Sequence, residues 1–144
     1  MEALFGSLHV VAAVFIIGPM TIFPMTAMRA LRSGNEAQAA ALTRSSGLFS
    51  WLSLIVAVFG AGLVSFVPKD DNLRFSTPWL LISIILYAVA VTLSLTVVVP
   101  LLRKATAALA EGAKKGYGAI AASSGIVAIL LVAVVVLMVW RPGA

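Results

Sequence analysis

The sequence predicts an all-α fold: an integral membrane bundle of four transmembrane helices, built as two helical hairpins in one domain over residues 1–144. Two observations predict it. Hydrophobic residues make up 62% of the chain and charged residues only 10%, against ~45–50% and ~25% in soluble domains. A mean hydropathy of +1.12 leaves too little charge to cover a water-facing surface, so lipid must solvate most side chains. The second observation is spacing. Apolar stretches near the ~20 residues that cross ~30 Å of hydrocarbon recur at about Ala3–Met28, Ser46–Val67, Pro78–Leu101 and Ala119–Trp140, with the charges between them.

The first span opens MEALFGSLHV, with Glu2 where a cleavable signal would carry Lys or Arg before a short apolar core. It therefore reads as a retained span. Within LHVVAAVFIIGPMTIFPM lie the only histidine, His9, and two prolines, Pro19 and Pro24. Each proline removes a backbone donor and obstructs the carbonyl four residues earlier, so this helix is expected to be kinked at both. The freed carbonyls, near Phe15 and Met20, then need other partners in lipid.

Ser33-Gly34-Asn35 reads as a stop and restart. Gly34 can take the left-handed position, Asn35 can cap, and Glu36 suits a first turn. The following EAQAAALTR is strong helix-forming sequence, so the second helix should begin in water before it enters lipid. Thr77-Pro78 reads as a cap followed by proline at the first helical position. After the third span, KATAALAEGAKKGYG reads as a protruding helix end with Gly112 as its stop. Trp79 and Trp140 are expected at one membrane boundary and Tyr117 at the other, since such rings pair an apolar body with a polar tip.

The connections orient the bundle. Arg29, Arg32 and Arg44 lie in the first; Arg103, Lys104, Lys114 and Lys115 lie in the third. The second connection has Lys69 and Arg74 offset by Asp70 and Asp71, and Arg141 follows the last span. The positive-inside bias puts connections one and three in the cytoplasm and both termini outside, N-out and C-out. Basic residues placed this way report topology, and no basic face or stacking platform suggests nucleic acid. RSSGLFSWLSLIVAV in the second span echoes ASSGIVAILLVAVVV in the fourth; recurrence of small residues where membrane helices approach accounts for it.

Candidate sites are few. His9 can ligate haem iron or copper, because neutral imidazole suits both; about two turns deep, it can instead bond a backbone carbonyl, water or a headgroup. Met20 is eleven residues further on, ~16 Å along the helix, too far to share one metal. Met25 and Met28 are one turn apart and read as filling beside a kink. In the third span Ser83, Tyr87 and Ser94 fall on one stripe, beside a row of Thr92 and Thr96, and read as interhelical hydrogen-bonding groups. Gly18, Gly47, Gly60, Gly62 and Gly125 read as points of close helix approach.

Absences narrow the classes. Without cysteine there are no disulfides, thiolate metal sites, iron–sulfur clusters or thiol redox chemistry. No Asp, Glu, Lys or Arg lies deep in a span, which removes support from proton-coupled exporters and voltage sensors. No phosphate-binding glycine loop, paired carboxylates or Ser–His–acid set is recognisable, so no enzyme is expected.

Leu8-His9 at the opening of the first span, two basic hairpins and the closing Leu137-Met138-Val139-Trp140-Arg141-Pro142-Gly143 resemble the predicted integral membrane proteins of domain-of-unknown-function family DUF2269 over essentially the whole chain. Gly18 fits that pattern; Phe15-Ile16-Ile17 stands where the family often has a tryptophan. The resemblance implies no biochemical activity. Its LH opening is similar to that of small bacterial membrane families linked to copper handling or b-type haem, which bears on His9 by analogy. A bis-histidine haem would need a second imidazole from a homodimer or another subunit.

The expectation is a small non-enzymatic protein of a bacterial cytoplasmic membrane, in contact with the lipid bilayer and with other membrane subunits or itself. The alternative is a haem b- or copper-binding protein using His9; a third is a small-solute transporter using the Pro19–Pro24 break.

Overall fold

Long apolar runs bounded by glycine and proline give long helices. The computed structural model describes residues 1–66, 74–114 and 116–143. Val67, Lys69, Asp70, Asp71 and Lys115, used in the sequence reading, lie outside the described residues. Among those described there is no strand. Four continuous helical rods are long and apolar enough to span a membrane: Glu2–Ser33, Glu36–Phe66, Pro78–Ala110 and Tyr117–Trp140.

Two rods are composite. The first joins α1 (Glu2–Ala12), a π-helical turn π1 (Ala13–Ile17) and α2 (Gly18–Ser33); the second is α3 (Glu36–Phe66). The third joins α4 (Pro78–Leu93), a second π turn π2 (Ser94–Val98) and α5 (Val99–Ala110); the fourth is α6 (Tyr117–Trp140). Each π turn ends two residues before a proline, Pro19 or Pro100. The physical reason is shared: proline offers no N–H to the ladder, and a turn bonded from residue i to i+5 re-routes it. Gly18 N–H reaches Ala13 O and Val99 N–H reaches Ser94 O. Pro24, by contrast, lies buried inside uninterrupted α2. The hydroxyl of Thr21 adds a bond to Ile17 O at 2.8 Å.

At 1.5 Å per residue the first three rods, of 32, 31 and 33 residues, run ~46–50 Å, beyond ~30 Å of hydrocarbon. The excess lies at the end that carries connections one and three, called here the basic end; the opposite one is the terminal end. Gly34 has φ +76°, and Gly34 N–H bonds Leu31 O while Asn35 N–H bonds Ala30 O. This is a Schellman closure. Asn35 Oδ1 then accepts from Gln38 N–H at 3.1 Å and starts α3. Gly112, φ +80°, closes α5 the same way, with Ala113 N–H on Ala108 O. Thr77 occupies the N-cap position of α4 but makes no side-chain bond to the helix; its Oγ1 accepts from Arg74 N–H at 3.0 Å.

The core lies toward the basic end. Met20, Leu31, Leu102 and Ile120 are its largest fully buried apolar side chains. There α2 packs on α3 and α6, and α3 on α5 and π2, which joins the hairpins. Toward the terminal end α1 packs on α3, and α4 on α6, with no comparable contact between the two pairs.

Candidate functional site

Two polar constellations stand out, and the first is closed. On α3, Ser46, Ser50 and Ser53 follow at offsets of four and three and are all buried. Such spacing puts them on one helix face. Ser50 Oγ donates to Ser46 O at 2.7 Å and lies 2.7 Å from Ser94 Oγ. Its single proton is committed to the carbonyl, so Ser94 is the donor between the two hydroxyls. Ser53 donates to Ser50 O, and Tyr87 O–H donates across the bundle to Ser53 O at 2.5 Å. Tyr87 and Ser94 thus bind the second hairpin to the first, Tyr87 from α4 and Ser94 from the first residue of π2.

Ser83 shares their stripe but donates within its own helix, to Trp79 O at 2.8 Å. Thr96 donates to Thr92 O, and both are exposed. Toward the basic end Thr106 donates to Leu102 O, which leaves Thr43 to donate to Thr106 Oγ1 at 3.1 Å. Tyr117 O–H donates to Leu31 O at 3.1 Å and docks the start of α6 on α2. Two buried polar atoms have no partner among the described residues: Ser46 Oγ and Trp79 Nε1.

The second constellation is open and lies in α1 and α3 toward the terminal end. His9 Nδ1 is 2.9 Å from Val56 O. A carbonyl only accepts, so Nδ1 carries the proton, and in the neutral ring the lone pair is on Nε2. The imidazole rests on Gly60: a Cβ there would come within 2.9 Å of His9 Cε1 and 3.2 Å of Nδ1. One turn toward the terminus the arrangement repeats with Phe5 on Gly62, where a Cβ would stand 2.6 Å from two ring carbons. Phe5 also stacks on Phe66 at a centroid distance of 5.0 Å. Gly60 and Gly62 are therefore seats for rings, which lie against the α3 backbone where a side chain would otherwise stand.

The remaining glycines divide. At Gly47 a Cβ would make ordinary contact with Val99 and Arg103, at 3.5 and 3.6 Å. At Gly18 and Gly125 it would meet nothing within 4 Å, so no close neighbour accounts for either. Met20 is buried in the core, away from any site. Trp79, at the start of α4, is turned into the bundle: it is 4% exposed with the Arg141 guanidinium 5.9 Å over its ring. Trp140 is 77% exposed. Sequence reasoning missed Ser50, Ser53 and Val56 as partners, and it missed Pro100. The α3 serines carried a signal in their spacing; the carbonyl of Val56 carried none.

Among the described residues no group of three or more His, Asp or Glu side chains could hold a metal ion. The arrangement offers a polar clasp between hairpins and one imidazole nitrogen that is not used by the fold.

The model of the DUF2269 family, described as predicted integral membrane proteins, matches residues 4–142. No curated protein and no solved structure matches. The chain belongs to the DUF2269 family of predicted integral membrane proteins.

Proposed function

We propose that this multi-pass membrane protein works without catalysis, by helix–helix contact, as an accessory subunit of a larger membrane complex or as a homo-oligomer. The observation that carries this reading is the division of the bundle. The hairpins pack together mainly through the basic half, whereas toward the terminal end α1 packs chiefly on α3 and α4 on α6, with the Tyr87–Ser53 bond as the link from α4 to the other hairpin. Helix pairs in lipid gain stability from close contact and interhelical hydrogen bonds rather than from leaving water. Hairpin faces that no neighbour covers are where another helix gains most.

The polar groups support the non-catalytic reading. The Ser50, Ser53, Ser94 and Tyr87 hydroxyls are spent on carbonyls or on each other. The charge bias supports a bacterial cytoplasmic membrane with connections one and three inside and both termini outside.

The test uses the absence of cysteine. Single cysteines at Val11 and Val135, exposed positions toward the terminal end, should crosslink to a second copy or to a co-purifying subunit in membranes. Native mass spectrometry from mild detergent should show the same assembly. A strictly monomeric particle without a co-purifying protein, and without crosslinks, overturns the proposal.

A further inference from the structure

We infer that His9 is built as the single axial ligand for a metalloporphyrin bound against the α1/α3 face, a role independent of the subunit contacts proposed above. Three observations converge. The Nδ1–H bond to Val56 O at 2.9 Å leaves the Nε2 lone pair available. A metal-binding imidazole has this arrangement: the second nitrogen donates to a carbonyl, which sets the tautomer and raises the basicity of the first. Gly60 supplies the second observation. Its missing Cβ leaves room for the ring at one fixed position, since a methyl there would overlap Cε1 and Nδ1.

The third observation decides the class of ligand. Nε2 has no hydrogen-bond partner among the described residues, and the only bond of this ring is the one from Nδ1. Yet the chain offers no other histidine and no cysteine, and no acidic cluster joins His9 among the described residues. A bare transition-metal ion needs three or four protein ligands, and one imidazole cannot hold it. Iron in a porphyrin brings four nitrogens of its own and asks the protein for one axial donor.

The surroundings suit such a macrocycle. Phe5 and Ala13, a turn to either side of His9, and Phe59 and Leu63, flanking Gly60, are apolar and half-buried. His9 is about two turns from the start of α1, ~10 Å along the helix. The Ser50–Ser94 and Tyr87–Ser53 bonds hold the hairpins together elsewhere, so ligation at His9 leaves the clasp intact.

The experiment is a haem titration of the full chain in lipid nanodiscs, read by the Soret band in both oxidation states, with metal analysis of the same samples. The expected result is a saturable Soret shift at one haem per chain, with a five-coordinate spectrum. His9→Ala should abolish the shift with helix content by circular dichroism unchanged, and free imidazole should restore it. Gly60→Ala, which displaces the ring but keeps the ligand, should weaken binding about 10–100-fold. Three results overturn the proposal: no shift beyond that of haem in empty nanodiscs, the same shift in His9→Ala, or stoichiometric copper uptake by a protein that takes no haem.

Discussion

The two halves of this bundle deal with polar groups in lipid by opposite means. On the side of the basic half, hydroxyls from two rods, the second and the third, meet in a buried clasp: Tyr87 on Ser53, Ser94 on Ser50, and Ser50 on the carbonyl of Ser46. In the terminal half a single imidazole makes one bond, to Val56 O, and keeps its other nitrogen. A hydroxyl has one proton, and once that proton meets a carbonyl the group is structurally spent. An imidazole has two distinct nitrogens, so one can anchor while the other remains for chemistry. The difference teaches where a ligand could be met: at the half-buried imidazole, whose second nitrogen has no partner among the described residues, rather than at the buried hydroxyls of the clasp.

Substitutions of matched size can break that contrast. Leu102→Ala, fully buried in the basic half, should cost about 2 kcal/mol or more through the cavity it leaves. Ile129→Ala in α6, 71% exposed, should change stability by less than about 0.5 kcal/mol. Unfolding followed by tryptophan fluorescence in detergent–lipid micelles measures both, and equal losses would erase the distinction between the halves.

Next in size is Gly62→Ala. Its methyl would overlap the Phe5 ring, and such overpacking costs about 1–3 kcal/mol. Gly125→Ala meets open space and should be neutral or slightly stabilising, because alanine favours helix. Paired thermal melts decide it; a larger loss at Gly125 would contradict the ring-seat account.

Tyr87→Phe removes the cross-hairpin donor and should cost about 1 kcal/mol. The Tyr87→Phe and Ser94→Ala losses should add closely, since the two bonds share no atom, and a double-mutant cycle tests that. Among the substitutions that remove a hydrogen bond, the smallest loss is expected at His9→Ala, about 0.5–1 kcal/mol for one interhelical bond. A loss above about 3 kcal/mol in equilibrium unfolding would mean that the imidazole is a structural keystone, and the contrast drawn above would fail.

Much of the architecture was legible in the residues. Four spans follow from length and hydropathy, because an apolar run of that size has no stable alternative to a helix in lipid. The Gly34 closure and Asn35 cap were legible because each requirement is local: a left-handed position, and an oxygen three residues before an amide. The first helix runs on to Ser33, where the Gly34 stop was read, past the apolar span that ends at about Met28, since nothing obliges a helix to stop where hydrocarbon does. The stripe of Tyr87 and Ser94 was read as interhelical, but not its partners. Ser53 and Ser50 are 34 and 44 residues away, and one sequence holds no record of which helix faces meet. His9 was weighed as a ligand or a carbonyl-bonded group; the Val56 bond shows the second, through Nδ1, and leaves Nε2 without a partner among the described residues. Trp79 illustrates a further limit. An amphipathic ring near a span end suggests the membrane boundary, but its local sequence does not show that it turns into the bundle under Arg141, a contact that depends on how the last helix ends.

The π turns before Pro19 and Pro100 also alter the arithmetic of the helices that contain them. Each adds one residue to a turn, and a helix advances ~100° per residue. Everything beyond the turn is therefore rotated by about a quarter of a revolution relative to an uninterrupted helix. In the first rod the phase that points His9 at Gly60 is set separately from the phase that sends Met20 into the core. In the third, Tyr87 is indexed apart from Leu102. A one-residue deletion within Ala13–Ile17 would turn one segment against the other as a clutch turns two shafts, so single insertions and deletions there change which faces meet without changing any side chain.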